Sequence, residues 1–243
     1  MSKIFFVLPA YNEEANIESV VTQWLPVVQR INGNPGDEAH LVIANDGSKD
    51  NTYKMLCQLA EKHPELTPVD KPNSGHGATV LHLYRYALDT GADYVFQTDS
   101  DGQTNPDEFW QMWNAREEYD FQIGARNDRQ DGASRVFVTK VLKLVVRLTF
   151  GVDVPDANTP FRLMKAGPLR EIMALIPSDF FLSNVAISAI AVKKGKKCIW
   201  YPITFKPRQG GVNSINMKRI FKIGRQAIGD FRTINRNLLN FRM

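Results

Sequence analysis

An apolar run meets two carboxylates in the stretch Tyr94-Val95-Phe96-Gln97-Thr98-Asp99-Ser100-Asp101-Gly102-Gln103. Alternate residues of a β-strand face the same side, so Asp99 and Asp101 can converge on one hard cation. Gly102 lets the backbone turn away, and the amide of Gln103 can supply a third oxygen. Such cations keep positions for water and substrate phosphates, so the stretch predicts a Mg²⁺ or Mn²⁺ site that also takes a diphosphate. A solvated loop with a chance Asp-x-Asp is the alternative for this motif alone.

Three more apolar runs have the length of buried strands: Ile4–Leu8, Leu41–Ala44 and Phe121–Ile123. Segments with helical periodicity separate the first two runs from each other and from the strand before Asp99, which gives a βαβαβ order. This order predicts an α/β fold with a largely parallel sheet sandwiched by helices, and ligands of such sheets bind at the carboxyl ends of the strands. The predicted helices run from Glu13 to about Gln29 with Asn12 as the cap, from a cap at Ser48 or Asp50, and from Gly75–Gly77 to near Gly91.

The second half of the chain mixes strand and helix periodicity. No linker-like composition separates the halves, so we predict one catalytic domain over residues 1–213, with a nucleotide half to about residue 125 and an acceptor half from about residue 126. The apolar face of Val141, Leu144, Val145 and Leu148 is expected to be core rather than a lipid-binding surface. The predicted elements of this half are a helix near Val136–Phe150, a strand at Phe161–Met164, a helix around Asn184–Lys193 and a strand at Ile199–Phe205.

The composition narrows the class of protein. The chain has 243 residues, 43% of them apolar, which is enough for one large buried core. No window approaches the roughly 18 consecutive apolar residues of a membrane-spanning helix, and Met1-Ser2-Lys3 leads into a strand instead of a secretion signal. Cys57 and Cys198 are the only cysteines, so neither a disulfide framework nor a thiolate metal site is expected. These features predict a cytosolic protein.

The net charge of +4 is concentrated at the C-terminal end. Seven Lys or Arg residues and one Asp lie between Ser214 and Met243, so this tail carries +6 and the first 213 residues carry −2. The tail is predicted to form a basic amphipathic helix over residues 214–243, which could lie on anionic lipid or pack its apolar side on the domain. Nucleic acid is not an expected partner, because no basic and aromatic interleaving of a binding module is present. The apolar positions of the helix are Met217, Phe221, Ile228, Phe231 and Leu238.

Polar motifs end the first two predicted strands and open the third helix. Pro9-Ala10-Tyr11-Asn12-Glu13-Glu14 offers an aromatic face and carboxylates that can recognise a nucleobase, although it is also a good helix start. Asn45-Asp46-Gly47-Ser48 places Asp46 where an acidic residue can read a base or ribose, or form a capping turn. Asn73-Ser74-Gly75-His76-Gly77-Ala78 offers glycines that let backbone amides approach a phosphate, with His76 either at a diphosphate or merely exposed.

In this order and spacing, these motifs and Asp99-Ser100-Asp101-Gly102-Gln103 resemble glycosyltransferase family 2. The resemblance continues through Gly124–Arg126, Asp156–Arg162 and Pro202–Arg208 to Ser214, and it covers roughly residues 3–225. Within the family, the chain is most similar to the dolichyl or polyprenyl phosphate sugar synthases. The resemblance implies a GT-A glycosyltransferase fold, a nucleotide-sugar donor, a Mg²⁺ or Mn²⁺ cofactor and an inverting transfer.

By position, the resemblance assigns the donor to the first half of the chain and the acceptor phosphate to the second. The donor nucleotide would contact Pro9, Ala10, Tyr11, Glu13, Asp46, Gly75 and Asp99, and the cation would be bound by Asp99, Asp101 and Gln103. The acceptor phosphate would contact Arg126, Arg135, Arg208 and Ser214, and the catalytic residues would be Asp101, Arg126 and Arg208. A surface or ion-pair role for any one of these arginines stays open.

One departure from the family pattern bears on the acceptor. Many relatives that glycosylate a sugar hydroxyl carry a Glu-Asp pair whose Asp is the general base, whereas this chain has Phe180-Phe181-Leu182-Ser183-Asn184 there. A hydroxyl acceptor needs a base to remove its proton, but a phosphate monoester is already ionised near neutral pH. The missing carboxylate favours a lipid phosphate acceptor, although Asp179 or Asp156 could replace it.

The expected protein is a peripheral enzyme on the cytosolic membrane face that moves a hexose from a GDP or UDP sugar to polyprenyl phosphate. It would reach the bilayer through its C-terminal helix or through a separate membrane partner protein. Two other functions stay open: transfer to a sugar hydroxyl of a polysaccharide or glycolipid, and a non-catalytic subunit that binds nucleotide sugars. A nucleotidyltransferase ranks last, because it would need a Gly-rich, basic loop where this chain has Pro9-Ala10-Tyr11.

Overall fold

The structure is a computed structural model that describes residues 2–126, 133–206, 227–236 and 238, with the backbone alone for residues 133–140. The strands are β1 Ser2–Ala10, β2 Asp37–Asp46, β3 Leu66–Lys71, β4 Tyr94–Thr98, β5 Phe121–Arg126, β6 Phe161–Lys165 and β7 Cys198–Ile203. The helices are α1 Ile17–Asn32, α2 Thr52–Ala60, α3 His76–Asp89, α4 Phe109–Asn114, α5 Ala133–Phe150, α6 Ala166–Met173, α7 Ser183–Lys193 and α8 over residues 227–236. A short 3₁₀ turn, Pro106–Glu108, precedes α4.

The seven described strands form one sheet in the order β3-β2-β1-β4-β6-β5-β7. Strand β6 runs antiparallel to β4 and β5, and every other pair of neighbours is parallel. The predicted mainly parallel sheet is therefore confirmed. Because β1, β2 and β4 run in the same direction, the loops after Ala10, Asp46 and Thr98 all leave the sheet at one edge.

Helices cover both faces of the sheet. Successive residues of β1 alternate between two apolar clusters, with Phe5 and Val7 on one face and Phe6 and Leu8 on the other. The first face is covered by residues of α3, α5, α6, α7 and α8, and the second by residues of α1, α2 and α4. Burial on both faces explains why the central strands are continuous apolar runs.

Two elements of the first half differ from the sequence predictions. Strand β3 was not predicted, because it is an edge strand that carries Pro68 and is mostly half-buried. Helix α1 begins at Ile17 instead of Glu13, because Asn12 adopts a positive φ of 54° and turns the chain. The side chain of Asn12 accepts a hydrogen bond from the amide of Lys49 at 2.8 Å, so it joins two loops instead of capping the helix.

The expectation that one face of α5 is core is wrong for two of its four residues. Val145 is 7% exposed, but Leu144 and Leu148 are 56% and 76% exposed. The periodicity had assigned all of these residues to one apolar face, yet the domain covers only part of it. Two leucines of this helix consequently face solvent.

The described part of the C-terminal tail packs on the domain. Ala227, Phe231, Ile234 and Leu238 are buried in the same apolar cluster as α3 and α5, whereas Arg232 and Arg236 are exposed. Of the two predicted arrangements, these residues adopt the one with the apolar side on the domain and the basic side outward. The remaining positions of the predicted helix over 214–243 lie outside the described residues.

The start of α3 lies against the backbone before α7. A Cβ atom added at Gly77 would be 2.2 Å from the carbonyl oxygen of Phe181 and 2.6 Å from that of Phe180. Both atoms belong to the backbone, so neither can move away as a flexible side chain would. Gly77 is required here by the close approach of two chain segments.

We expect Gly77→Ala to lower the free energy of unfolding by about 3 kcal/mol, since overpacking against backbone forces a shift of α3 or of the loop before α7. Urea unfolding followed by circular dichroism measures this. Gly167→Ala is the matched control, because a Cβ atom at Gly167 in α6 meets nothing within 4 Å. Equal stability of Gly77→Ala and the wild type would contradict the close approach.

Candidate active site

A cavity of about 240 Å³ opens at the edge of the sheet where β1, β2 and β4 end. The first turn of α3 closes one side of it. The cavity gathers residues from all four motifs of the first half, although these motifs are far apart in the chain. It is lined by Pro9, Ala10, Tyr11, Glu13, Asp46, Asn73, His76, Thr79, Asp99, Ser100 and Asp101.

Hydrogen bonds fix the loops around the cavity to one another. The Ser100 hydroxyl donates to the carbonyl oxygen of Pro9 at 2.8 Å and so joins the ends of β4 and β1. Glu13 is buried and accepts a hydrogen bond from Asn16 at 2.7 Å, next to the start of α1. Tyr11 is 44% exposed, so the face of its ring is accessible for stacking on a base.

The carboxylate of Asp46 holds the loop that precedes α3. It forms an ion pair with the Lys71 ammonium and accepts hydrogen bonds from the amides of Ser74 at 2.8 Å and Gly75 at 2.9 Å. Burial acts to raise the pKa of Asp46, but the hydrogen bonds from Lys71 and Ser74 outweigh it and keep that pKa below its usual range. Asp46 is thus an ionised, buried wall of the cavity whose oxygens already have partners within the protein.

Lys71 is a residue of this site that the sequence reasoning missed. Its ammonium is mostly buried and also lies 2.7 Å from the carbonyl oxygen of Pro72, 2.7 Å from the Ser74 hydroxyl and 3.2 Å from the Thr79 hydroxyl. Lys71 pairs with Asp46 in the parallel register of β2 and β3. Recognition of β3 as a strand was the signal that could have identified it.

Asp99 faces the cavity together with His76. The Nε2 atom of His76 lies 3.0 Å from Oδ1 of Asp99, and the side-chain amide of Gln97 donates to the same oxygen at 3.3 Å. Partial burial acts to lower the pKa of His76, but the negative charge of Asp99, with smaller contributions from Asp101 and Asp46, raises it above its ordinary value. The imidazole of His76 is therefore held beside the carboxylates in a form that favours positive charge.

The other residues of the carboxylate motif divide between the cavity and the loop behind it. Asp101 lines the cavity, and its Oδ1 accepts a hydrogen bond from the amide of Gln103 at 3.2 Å. The side-chain amide of Gln103 points elsewhere, since its nitrogen donates to the carbonyl oxygen of Lys206 at 2.7 Å. Gln103 is not among the residues that line the cavity, so its predicted part in cation binding gains no support from its position.

The donor set of the cavity fits a hard cation that is shared with a ligand. Among the residues that the structure describes, no group of three or more His, Cys, Asp or Glu side chains is arranged to hold a metal ion. Asp99 and Asp101 nevertheless line the same cavity and offer carboxylate oxygens, which Mg²⁺ and Mn²⁺ prefer. An ion bound by them would have to complete its coordination with water and substrate oxygens.

A buried network of hydrogen-bonded side chains is connected to Asp99 through Gln97. The Tyr84 hydroxyl lies 3.0 Å from Oε1 of Gln97 and 3.3 Å from Oδ1 of Asn184. Arg162 is fully buried beside this network and donates to the carbonyl oxygens of Thr159 at 3.0 Å and Asn184 at 3.2 Å. Burial lowers the pKa of Arg162. A chain of side chains thus connects the core of the acceptor half to the carboxylate of Asp99.

The acceptor half contributes a second, separate ion pair. The guanidinium of Arg126 contacts both oxygens of Asp156, with Nε–Oδ2 and Nη2–Oδ1 distances of 2.9 and 3.0 Å, and lies 5.3 Å from the ring centre of Phe205. Phe205 in turn pairs with Thr104, three residues beyond Asp101. Arg126 therefore lies at the same edge as the cavity, but in the ion-pair arrangement that the sequence left open.

The structure describes only some of the predicted acceptor residues and candidate bases. Asp179 is exposed, and Ser183 and Asn184 are buried. Asp156, the other candidate base, is paired with Arg126. Arg208 and Ser214 lie outside the described residues, as does the side chain of Arg135.

Comparison with known proteins identifies the family and the fold. The family model described as "Glycosyl transferase family 2" matches residues 5–173. A polyprenol monophosphomannose synthase of Mycolicibacterium smegmatis is 25% identical over 235 residues, which are 91% of this chain and 86% of that protein. An undecaprenyl-phosphate mannosyltransferase of Micrococcus luteus is 25% identical over 223 residues, 88% of each protein.

The fold is also found in solved structures. The crystal structure of glucosyl-3-phosphoglycerate synthase from Mycobacterium tuberculosis in complex with Mn²⁺ and uridine-diphosphate-glucose superposes with a TM-score of 0.66 at 18% sequence identity, over 96% of this chain and 79% of that one. This likeness confirms the predicted GT-A fold. With the family match over most of its length, the chain belongs to glycosyltransferase family 2.

Proposed function

We propose that this glycosyltransferase moves a hexose from a nucleoside diphosphate sugar to a polyprenyl phosphate with inversion at the anomeric carbon. The observation that carries the proposal is the single cavity that unites Tyr11, Asp46, Asp99 and Asp101. The relatives from Mycolicibacterium smegmatis and Micrococcus luteus are both named as enzymes that act on polyprenyl phosphates, which supports this acceptor class.

The donor nucleotide would occupy the cavity from the Pro9–Tyr11 side. The exposed ring of Tyr11 offers a stacking surface, and the segment held by Asp46 presents the start of α3, where backbone amides favour a negatively charged group. Gly75, with a φ of 85°, gives the loop a conformation that other residues rarely adopt. The diphosphate would then lie between this loop and the carboxylates of β4.

Asp99 and Asp101 would hold a Mg²⁺ or Mn²⁺ ion at the diphosphate. A bound divalent cation would neutralise the charge that develops on the nucleoside diphosphate as it leaves. His76 contacts Asp99 and lines the same end of the cavity, next to the position proposed for the diphosphate. The related fold from Mycobacterium tuberculosis was crystallised with Mn²⁺ and uridine-diphosphate-glucose, which supports a divalent cation at such a site.

The acceptor would attack the anomeric carbon from the side opposite the diphosphate. A phosphate oxygen would form the new bond to carbon while the bond to the leaving diphosphate breaks, so the configuration inverts. A phosphate monoester has its second pKa near 6 and needs no base at neutral pH. This acceptor therefore requires no general base among the carboxylates of the cavity.

A transfer assay tests the proposal. The purified protein is incubated with Mg²⁺, a panel of GDP and UDP hexoses, and membranes with or without added polyprenyl phosphate, and sugar in the lipid phase is measured with its anomeric configuration. We expect transfer that depends on the lipid phosphate and inverts the donor linkage. Donor consumption without a lipid product would contradict the acceptor and indicate transfer to a hydroxyl.

We expect Asp101→Asn to lower kcat/KM by at least about 100-fold, since it removes a negative charge aimed at the cation. The asparagine carbonyl can still accept the hydrogen bond from Gln103, so the loop should keep its shape. Asp107→Asn, at an exposed position in the next turn, is the matched control and should be silent. Steady-state kinetics over a Mn²⁺ titration measure both variants, and unchanged metal dependence of Asp101→Asn would rule out its assigned role.

We expect Lys71→Met to lower the free energy of unfolding by about 3 to 5 kcal/mol, because it leaves the buried carboxylate of Asp46 without its cation. The KM for the donor should rise as well, since the loop over residues 71–75 loses an anchor. The double variant Lys71→Met/Asp46→Asn should recover part of the stability. Urea unfolding of the four proteins in this cycle measures the coupling, and additive losses would disprove it.

A further inference from the structure

Helix α5 exposes an apolar and basic surface that the proposed chemistry does not use. Leu144 and Leu148 lie one helical turn apart, and apart from Tyr11 in the cavity they are the only large apolar side chains exposed among the described residues. Lys143 and Arg147 are exposed directly beside them. Each exposed leucine of this helix therefore has an exposed cation as its neighbour in the chain.

The interior of the domain does not need these leucines. The side of α5 that faces the domain already buries Val145, Val146 and Phe150 in the core. Exposed apolar side chains grouped on one face are characteristic of surfaces that contact a membrane or another protein. Among the residues that the structure describes, none covers Leu144 and Leu148, so this pair is open to an apolar partner.

Helix α8 extends the basic part of this surface. Its Phe231 ring packs on Phe150 at a centroid distance of 5.4 Å, and Asn235 donates to the carbonyl oxygen of Thr149 at 2.8 Å. These contacts hold α8 beside the C-terminal end of α5, and its outer side exposes Arg232 and Arg236 one turn apart. Asp230 is the one acidic residue in the sequence of these two helices, against the four exposed cations Lys143, Arg147, Arg232 and Arg236.

We propose that this leucine and cation face docks the protein on an anionic lipid bilayer. The face consists of Lys143, Leu144, Arg147 and Leu148 of α5 with Arg232 and Arg236 of α8. The leucines would enter the boundary between headgroups and acyl chains while the cations meet anionic headgroups. A second copy of the chain is a poorer occupant, because a two-fold contact would set each cation of the face against the same set on its partner.

The docking face extends the proposed function. It rests on that function only in one respect, namely that the acceptor lies in a membrane. The docking is assigned to α5 because Ala227, Phe231 and Ile234 of α8 are buried in the domain and Ile228 is partly buried.

Vesicle binding tests the docking face without any donor or polyprenyl phosphate present. The full chain is sedimented with phosphatidylcholine vesicles with and without phosphatidylglycerol, at low and high salt. The variants are Leu144→Gln/Leu148→Gln, the conservative Leu144→Met/Leu148→Met, and Lys143→Gln/Arg147→Gln. Lys54→Gln/Lys62→Gln, two exposed cations at α2 on the other face of the sheet, is the charge-matched control.

We expect the wild type to bind anionic vesicles, with binding weakened by salt. The glutamine variant of the leucines should bind at least about tenfold more weakly, because each methylene that enters the bilayer contributes to the binding free energy. Loss of Lys143 and Arg147 should cost roughly fivefold per cation at low salt. The methionine variant and the control should bind as the wild type does, and unchanged thermal unfolding would show that each variant folds.

Four outcomes would overturn the docking face. They are no binding of the wild type to either vesicle, equal binding of the glutamine variant of the leucines, equal loss in the control at α2, and a wild-type dimer that the leucine substitutions dissociate without any vesicle binding. The test is independent of the proposed reaction. Vesicle binding as expected with no sugar transfer to polyprenyl phosphate would disprove the reaction and leave the docking face in place.

Discussion

The buried carboxylate of Asp46 is the interaction on which the cavity depends. It accepts from the ammonium of Lys71 and from the amides of Ser74 and Gly75, so one side chain at the end of β2 fixes the whole turn that leads into α3. A buried ion pair of this kind contributes geometry more than net stability, because both charges lose their hydration. What it secures is the position of the helix start against the cavity.

The charge of the cavity follows from this construction. Four carboxylates line it, the Lys71 ammonium faces Asp46, and the imidazole of His76 faces Asp99. A diphosphate entering such a site adds negative charge close to Asp99 and Asp101. A divalent cation would remove this repulsion and bind carboxylate and diphosphate together. The proposed cation therefore has support from the electrostatics of the cavity as well as from the motif.

The proposed docking on a bilayer concerns the lipid acceptor instead of the donor. Among the residues that the structure describes, no helix combines the length and the apolar character needed to cross a membrane. A lipid phosphate acceptor would lie in the headgroup region of a bilayer. The exposed leucines of α5, each beside a cation, are the described surface to which we assign contact with that region.

Much of the fold was predictable from the sequence, because buried parallel strands are visible as apolar runs and their carboxyl ends must share an edge. That rule alone brought Tyr11, Asp46 and Asp99 together. Strand β3 was not predicted because this edge strand lacks a continuous apolar run, and Lys71 was missed for the same reason. Periodicity shows which residues share a helix face but not what covers that face, so the exposure of Leu144 and Leu148 needed the structure.

The pairings within the site were the least predictable part. His76 with Asp99 and Arg126 with Asp156 join residues about 20 to 30 positions apart, and no local pattern encodes such contacts. The sequence could offer each of these residues only as a candidate ligand or an ion-pair partner. The interatomic distances in the structure show that His76 contacts Asp99 and that Arg126 forms an ion pair with Asp156.

The most direct measurement is a crystal structure of the protein grown with Mn²⁺ and a nucleoside diphosphate, with anomalous diffraction recorded at the manganese edge. We expect one anomalous peak in the cavity, coordinated by the carboxylate of Asp101 and by oxygens of the diphosphate, with the base against Tyr11. A diphosphate bound in the cavity without manganese, or manganese bound away from Asp99 and Asp101, would contradict a cation-held donor at this edge of the sheet.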